Sequence, residues 1–341
     1  MSAPSLLQVG VVGLGRMGRR HADNLATLVP GAALCAVCSP VAAELDWAHQ
    51  HYPEARQYQD YEALLAHPGL QAVFLVTPTA LHAGQIITAL RAGKHVFCEK
   101  PLSLELEDCL RVQTEAARHP QLKVMTGFVR RFDASYQDAR RKIDEGLIGA
   151  PFMVYSQTCD AYDPDGFFVR FAPTSGGLFL DCSVHDIDLA RWLLGEVRAV
   201  RVIASGVRAI HHDLAPYQDV DNGLAICEFE GGRLASFYAS RTMAHGHETM
   251  TEVTGTRGRI SVGANPHLNR VTIADTHGVR SESTPSFIER FSEAFVTEAR
   301  HFVDAVRFDR PLALSLGDAA EATRIGMAMR RSLLEQQPVL L

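Results

Sequence analysis

The chain has 341 residues, of which 47% are hydrophobic and 21% are charged, and its formal net charge is −6. This composition is that of a globular protein, and the length favours two domains over one. The acidic balance argues against nucleic acid or an anionic membrane as a partner, because both bind basic surfaces. The sequence shows neither an export signal nor an apolar run of about 18 residues that could cross a membrane, so we predict a cytoplasmic protein.

The first third of the chain alternates short apolar runs with segments of helical periodicity. The predicted strands are Gln8–Val12, Ala33–Cys38, Ala72–Val76, His95–Cys98 and Lys123–Thr126. The predicted helices are Arg16–Leu28, Val41–His51, His82–Ala92 and Leu104–Arg118. Strand–helix alternation is typical of a parallel sheet covered by helices on both faces. We therefore predict a doubly wound α/β Rossmann domain over residues 1–126.

From residue 127 the pattern changes to α+β. Helices are predicted at Ala134–Gly146, Asp181–Leu194, Phe287–Phe308 and Leu316–Gln336, and an irregular stretch at Asp160–Gly177. Strands are predicted at Phe152–Thr158, Val197–Ser205, Asn222–Phe229, Arg233–Tyr238, Glu248–Thr254, Gly258–Val262 and Val271–Ala274. Consecutive strands with tight turns indicate a mostly antiparallel open sheet. We predict a second domain over residues 127–341 that binds substrate and forms a homodimer or homotetramer.

The sequence offers little support for a metal or thiol site. Cys35 and Cys38 match C-x-x-C, but residues three apart on a strand face opposite sides of the sheet. The seven cysteines are better explained as buried structural thiols, which suit a reducing compartment. No recurrent zinc-ligand spacing is present, so no metal is predicted.

The segment Gly13–Gly18 matches the dinucleotide fingerprint G-x-G-x-x-G and lies between a predicted strand and a predicted helix. Gly13 permits the tight turn, Gly15 lets the backbone approach a pyrophosphate, and Gly18 allows close packing of helix on strand. The helix N-terminus adds N–H groups for the phosphates. The predicted cofactor-binding residues of this loop are Gly13, Gly15, Arg16, Met17 and Gly18.

Cofactor selectivity is left open by the sequence. A carboxylate about 20 positions after the fingerprint usually binds the ribose 2′-hydroxyl of NAD. Here Ser39 follows the second predicted strand, and it could bond either a 2′-hydroxyl or a 2′-phosphate. The cofactor is therefore predicted to be NAD or NADP, with Ser39 in its site.

Two further segments carry candidate chemistry. Lys100 follows a predicted parallel strand, where residues line the cofactor crevice, although a surface lysine is the alternative. Asp181, His185 and Asp188 have the spacing of one helical face. A histidine between carboxylates can act as a general base, and a solvated polar stripe is the alternative.

Five motifs occur in order along the chain. They are Gly13–Gly18, Thr77–His82, Glu99–Pro101, Gly127–Asp133 and Gly176–Asp186. Together they resemble the glucose–fructose oxidoreductase and inositol dehydrogenase family (Gfo/Idh/MocA), and the resemblance covers nearly the whole chain. The inositol 2-dehydrogenase branch is the most similar. This implies NAD(P)-dependent hydride transfer from a ring hydroxyl carbon of myo- or scyllo-inositol to give a keto-inositol, with a sugar dehydrogenase as the alternative.

The resemblance also implies roles for single residues. Lys100, followed by a cis bond to Pro101, would hold the substrate hydroxyl, His185 would take its proton, and Asp181 would orient Lys100 or His185. Asp160 is similar to a further substrate-binding aspartate of the family.

The remaining implied residues lie around the cofactor and the mouth of the site. Thr77, His82 and Glu99 would line the nicotinamide side of the cofactor. Arg130 and Arg131 would either shape the substrate mouth or pair with acids. His245 and His247 stand where tyrosines are common in inositol dehydrogenases, so a ring or hydroxyl different from that of myo-inositol is an open alternative.

Two other classes of function compete with a dehydrogenase. A redox sensor would bind the dinucleotide without turnover, but it has no need of Lys100, Asp181 and His185 together. A nicotinamide-dependent glycosidase would release a sugar without net reduction of its cofactor.

Overall fold

The computed structural model describes residues 5–263 and 267–341. Residues 1–4, where an export signal would begin, lie outside the described part. The chain forms two units: Met1–Val129 with Glu293–Ala320, and Arg130–Ser292 with Glu321–Leu341. The predicted boundary at 126/127 lies close to the first crossing between units. The return of Glu293–Ala320 to the first unit was not predicted, because helical periodicity does not tell which sheet a helix covers.

The first unit is built on a six-stranded sheet in the order β3-β2-β1-β4-β5-β6, and all its strand pairs are parallel. The strands are β1 (Leu7–Val12), β2 (Ala32–Cys38), β3 (Arg56–Tyr58), β4 (Ala72–Leu75), β5 (His95–Glu99) and β6 (Val124–Gly127). The helices are α1 (Arg16–Thr27), α2 (Ala42–His51), α3 (Tyr61–Leu65), α4 (Thr79–Arg91) and α5 (Leu106–Arg118). The predicted Rossmann architecture is confirmed.

The second unit contains a seven-stranded mixed sheet in the order β12-β11-β7-β10-β9-β8-β15. Its strands, with the separate hairpin β13–β14, are β7 (Pro151–Ala161), β8 (Ala199–Val207), β9 (Asn222–Phe229), β10 (Arg233–Met243), β11 (Glu248–Gly255), β12 (Gly258–Gly263), β13 (Ile273–Asp275), β14 (Gly278–Arg280) and β15 (Val339–Leu340). Only β7 and β10 pair in parallel. The prediction of a mostly antiparallel sheet is confirmed for the part of the chain that the structure describes.

The remaining helices are α6 (Ala134–Asp144), α7 (Phe167–Ser175), α8 (Leu178–Asp181), α9 (Val184–Leu194), α10 (Phe287–Arg290), α11 (Ser292–Arg307) and α12 (Leu316–Glu335). Three details of the prediction were wrong. The stretch predicted as irregular contains α7, the helix predicted from Asp181 is divided at Cys182 and Ser183, and the one predicted from Phe287 is divided at Phe291. No helix within the described residues has the length and apolar character needed to cross a bilayer.

All seven cysteines carry free thiols, and six of them are buried. Burial raises the pKa of Cys38 to about 11 and also raises that of Cys35. A reactive or metal-binding thiol needs a lowered pKa. The Cys35–Cys38 spacing is therefore explained by packing inside β2.

Candidate active site

The loop between β1 and α1 has a shape that only glycine permits at two positions. Gly13 has a φ of +87°, and a Cβ there would lie 2.5 Å from the carbonyl oxygen of Val76. A Cβ at Gly18 would lie 1.8 Å from the carbonyl oxygen of Gly13. At exposed Gly15, the nearest atom to an added Cβ is 4.0 Å away. The loop is thus packed tightly at both ends and open in the middle, as a pyrophosphate requires.

The N-terminus of α1 opens at this loop. Gly15 is the N-cap residue, its backbone is extended, and as a glycine it has no side chain that could cap the helix. The first turn holds exposed Arg16 and half-buried Met17. The N–H groups in the first turn of a helix form a site for anions, and the residues present therefore fit a dinucleotide pyrophosphate.

Ser39 is not available to the cofactor in the way that we predicted. It is 1% exposed, its hydroxyl donates to Glu44 Oε2 at 2.5 Å, and its Oγ accepts from the Val41 N–H at 3.1 Å. Glu44 Oε2 also accepts from the N–H of Leu14 in the glycine loop, at 3.3 Å. Glu44 on α2 thus places a carboxylate beside the end of β2 and the glycine loop. A search restricted to the strand end overlooked it.

The loops after β4 and β5 are joined by His82. Its Nδ1 lies 2.9 Å from the Pro101 carbonyl oxygen and its Nε2 lies 2.9 Å from the Thr77 carbonyl oxygen. Burial lowers the pKa of His82 despite these two bonds. The peptide between Lys100 and Pro101 is cis, as the family resemblance implied. His82 thus fixes the loops that carry Thr77 and Lys100, and its own ring is buried.

Glu99 lies beside Lys100 and has a partner that sequence reasoning missed. His21 on α1 approaches Glu99 Oε1 at 2.7 Å, and the N–H of Lys100 donates to Glu99 Oε2 at 3.1 Å. Burial would raise the pKa of Glu99, but the bond from His21 and the charge of Lys100 outweigh it and lower that pKa. An ionised Glu99 therefore fixes the backbone at Lys100.

A second buried carboxyl, Glu298, lies on α11 in the same unit. It is 0% exposed, and among the described residues neither of its oxygens has a hydrogen-bond partner. Burial, together with the charge of Glu99, raises its pKa well above the ordinary value of 4.5. Glu298 is thus held in its neutral form while Glu99 is ionised.

We expect Glu298→Gln to weaken the dependence of stability on pH. The stability associated with neutral Glu298 is fully present below pH 4.5 and is lost as the pH rises through the raised pKa of the folded state. Each pH unit in that interval costs up to about 1.4 kcal/mol. Thermal midpoints measured from pH 5 upward should therefore fall less steeply in Glu298→Gln than in wild type. The exposed neighbour Glu293→Gln is the control, and equal slopes for wild type and Glu298→Gln would contradict the assignment.

In the second unit, Asp160 lies near the end of β7 and not in a loop as predicted. His247 Nδ1 is 3.0 Å from Asp160 Oδ1, and the Cys182 thiol lies 3.7 Å from Oδ2. The side chain of His247 is 2% exposed, whereas that of Asp160 is 21% exposed. These buried groups hold Asp160 in place, while part of its carboxylate remains exposed.

Asp181 ends α8 and is held by an arginine that the sequence did not reveal. Arg241 Nη2 on β10 donates to Asp181 Oδ2 at 2.7 Å, and Arg241 is fully buried with its Cζ 4.7 Å from the Phe168 ring centre. Half-buried His185 begins the first turn of α9. Because Cys182 joins Asp181 in sequence and contacts Asp160, the structure brings Asp160 and Asp181 into one cluster.

The predicted polar stripe Asp181–His185–Asp188 is not one surface. Asp188 is 1% exposed and forms two bonds of 2.7 Å to Arg131 Nε and Nη2. The interruption between α8 and α9 separates Asp181 from that helix. Asp188 is therefore a structural acid, and the solvated-stripe alternative does not apply to it.

Arg130 follows the pairing alternative. It is 3% exposed, donates to Asp186 Oδ1 at 2.8 Å and to Thr158 Oγ1 at 2.7 Å, and lies 5.4 Å from the Phe291 ring centre. These contacts favour the pairing interpretation of Arg130 over the substrate-binding one. Arg131 likewise pairs with a buried carboxylate, that of Asp188.

Residues 5–263 and 267–341 contain no group of three or more His, Cys, Asp or Glu side chains that could hold a metal ion. The chemistry of the cluster is that of carboxylates, imidazoles and a buried guanidinium. Such groups bind hydroxyls and move protons.

Comparison with known proteins agrees with this geometry. Residues 7–128 match the oxidoreductase family with an NAD-binding Rossmann fold, and residues 136–261 match the GFO/IDH/MocA C-terminal domain. The chain is 37% identical to scyllo-inositol 2-dehydrogenase (NAD(+)) of Bacillus subtilis strain 168, over 98% of this chain and 96% of that protein. It is 32% identical to myo-inositol 2-dehydrogenase of Thermotoga maritima, over 98% of each chain.

Solved structures show the same similarity. The structure of scyllo-inositol dehydrogenase from Lactobacillus casei with bound NAD(H) and scyllo-inositol matches with a TM-score of 0.94 and 36% identity, over 98% of this chain and 99% of that chain. Both halves of this chain thus match the same kind of protein. The chain belongs to the GFO/IDH/MocA family of NAD-binding oxidoreductases.

Proposed function

We infer that the protein is an NAD-dependent inositol 2-dehydrogenase, which oxidises a ring hydroxyl of myo- or scyllo-inositol to a ketone. The observation that carries this inference is the cluster of Asp160 and Asp181, with His185 in the first turn of the next helix, in a chain similar to inositol dehydrogenases along nearly its full length. Oxidation of a CH–OH group removes a hydride and a proton. Bound NAD+ supplies the hydride acceptor at C4 of its nicotinamide, and the protein must supply the base.

His185 is proposed as that base. Its imidazole takes the hydroxyl proton as the C–H hydride leaves, so that the carbon–oxygen bond becomes a carbonyl and the products are ketone, NADH and one proton. Lys100 is proposed to donate a hydrogen bond to the reacting oxygen. Asp181, fixed by Arg241, and Asp160, fixed by His247, are proposed to accept hydrogen bonds from ring hydroxyls. Carboxylates bind hydroxyl donors strongly when they are held in place.

The direct test follows the near-ultraviolet absorbance of NADH or NADPH with a panel of inositols, aldoses and glycosides. Reduction of NAD by one inositol isomer is the expected result. Reduction by aldoses alone would move the protein to the sugar-dehydrogenase alternative. Binding of dinucleotide without turnover would indicate a redox sensor, and release of sugar from a glycoside without net reduction would indicate a glycosidase.

We expect Asp160→Asn to raise KM for the inositol by about tenfold, the scale of a lost hydrogen bond to a charged group, and to change kcat less. Steady-state kinetics with saturating NAD give both constants. The conservative control is Glu248→Gln, since Glu248 lies one residue from His247 and pairs with exposed His245. A fall in kcat with unchanged KM would contradict the binding role of Asp160.

We also propose that the protein is a homodimer or homotetramer whose subunits meet through the outward face of the seven-stranded sheet. Apolar side chains point outward from neighbouring strands, and Ile203 on β8 lies opposite Ile226 on β9. The exposed members of this face include Ile203, Leu224, Ile226 and Leu234. A contiguous apolar patch on a sheet face is typical of a subunit interface.

Light scattering tests this proposal. Wild type should have a mass of at least twice 37.4 kDa, and a Leu224→Glu/Ile226→Glu variant should move toward the mass of one chain. Val279→Glu, on the separate β14 hairpin, is the control because its side chain is also exposed. A wild-type mass of one chain would overturn the proposal. A cytoplasmic location is proposed as well, since seven free thiols suit a reducing compartment.

A further inference from the structure

We infer that Glu44, on α2, is the residue that selects NAD over NADP. This inference deepens the cofactor side of the proposed function and rests on it. In Rossmann domains the discriminating carboxylate usually follows the second strand, where it accepts a hydrogen bond from the ribose 2′-hydroxyl and repels a 2′-phosphate. Ser39 occupies that place here. The discriminating charge must therefore come from elsewhere in the fold.

Glu44 has the position that this task requires. Its Oε2 is held from two sides, by the Ser39 hydroxyl at 2.5 Å and by the Leu14 N–H at 3.3 Å. These partners belong to the end of β2 and to the glycine loop, which are the two segments that border the adenosine ribose in this type of domain. The Glu44 carboxylate, carried by α2, is thus bonded to both segments that border the ribose site.

The second oxygen of Glu44 is the one that faces the ligand side. Its Oε1 is the nearest atom to a Cβ built on exposed Gly15, at 4.0 Å, and within the described residues no hydrogen bond reaches it. Glu44 as a whole is half-buried. One oxygen is therefore fixed by protein donors while the other is free to accept from a ribose hydroxyl beside the pyrophosphate loop.

Arg19, a cation that contacts the glycine loop, is already engaged. Arg19 Nε donates to the Leu14 carbonyl oxygen at 3.1 Å, and its Cζ lies 4.7 Å from the centre of the Trp47 ring. Arg19 is thus held against α2 and the loop backbone. A 2′-phosphate placed beside Glu44 Oε1 would meet a carboxylate at close range, and like charges at such a distance disfavour binding.

The test is equilibrium binding of NADH and NADPH, followed by the fluorescence of the reduced nicotinamide, without any substrate. Glu44→Gln keeps the size of the side chain and removes its charge. We expect the Kd of NADH to rise about tenfold or more, on the scale of a hydrogen bond to a charged group, while that of NADPH stays the same or falls. The ratio of the two constants is the readout that a merely structural role would not move.

Two further variants complete the experiment. Ser39→Ala removes the hydroxyl that holds Glu44. It should lower the ratio of the NADPH Kd to the NADH Kd, as Glu44→Gln does, but by a smaller factor. Asp46→Asn removes a charge from the exposed side of the same helix and should leave the preference unchanged. An unchanged ratio of Kd values in both Glu44→Gln and Ser39→Ala would overturn the inference. Because no substrate is present, that result is distinct from a failure to oxidise inositol.

Discussion

Replacement of His185 by alanine is expected to lower kcat by about 100-fold or more, the scale of a lost general base, with near-normal affinity for NADH. The imidazole lies in the first turn of α9, four residues after Asp181 and far from the glycine loop in the chain. Its loss should therefore affect proton removal and leave dinucleotide binding intact. Stopped-flow or steady-state oxidation of inositol gives kcat, and fluorescence titration gives the Kd of NADH.

The control for this variant is His277→Ala, which removes an exposed histidine from the turn of the β13–β14 hairpin. Lys100→Ala should reduce kcat to a similar extent. If Lys100→Ala weakened only the binding of NADH, then Lys100 would belong to the cofactor site alone. An unchanged kcat in His185→Ala would remove His185 from the role of base.

The largest effect on stability is expected for Arg131→Ala. Arg131 and Asp188 are each 1% exposed, and two parallel bonds of 2.7 Å join the guanidinium to the carboxylate. Removal of the arginine takes both of these bonds away from a buried carboxylate, and the loss of one partner of a buried ion pair costs about 3–5 kcal/mol. The thermal midpoint of the variant, followed by circular dichroism, should fall by far more than that of any surface variant.

Arg141→Ala is the matched control. Arg141 also pairs with two carboxyl groups, Asp138 and Glu145, but it lies on the exposed face of α6. Exposed ion pairs contribute little to stability, so this midpoint should stay near that of wild type. The double variant Arg131→Met/Asp188→Leu should be more stable than Arg131→Ala, because it leaves no unpaired charge. The assignment fails if Arg131→Ala and Arg141→Ala unfold alike.

Periodicity predicted the sheet of the first unit well, because buried parallel strands read as short apolar runs between amphipathic helices. It missed β3, whose three residues are too few to show a pattern. In the second unit it missed α7, since glycines at both ends and Pro173 within suggest a loop. In the structure, Gly166 and Gly176 adopt the left-handed conformation and mark the two ends of that helix.

The candidate site was predictable where a motif fixes the backbone and unpredictable where distant side chains meet. Gly13, Gly18 and Lys100 follow from local geometry at strand ends. His21 beside Glu99 and Arg241 beside Asp181 join residues 78 and 60 positions apart, and no spacing rule connects them. Arg130 was left between two interpretations because burial, which decided the question, is a property of the folded chain.

The return of Glu293–Ala320 to the first unit has a consequence for synthesis on the ribosome. In that unit Phe302 lies 5.4 Å from Phe74 and 5.9 Å from Phe97, and Phe295 lies 5.9 Å from His21, as measured between ring centres. These aromatic partners emerge from the exit tunnel long after the sheet that they cover. The aromatic surface of the nascent nucleotide-binding domain therefore stays uncovered until most of the second unit has been translated. During this interval the chain is most prone to aggregate and to bind chaperones.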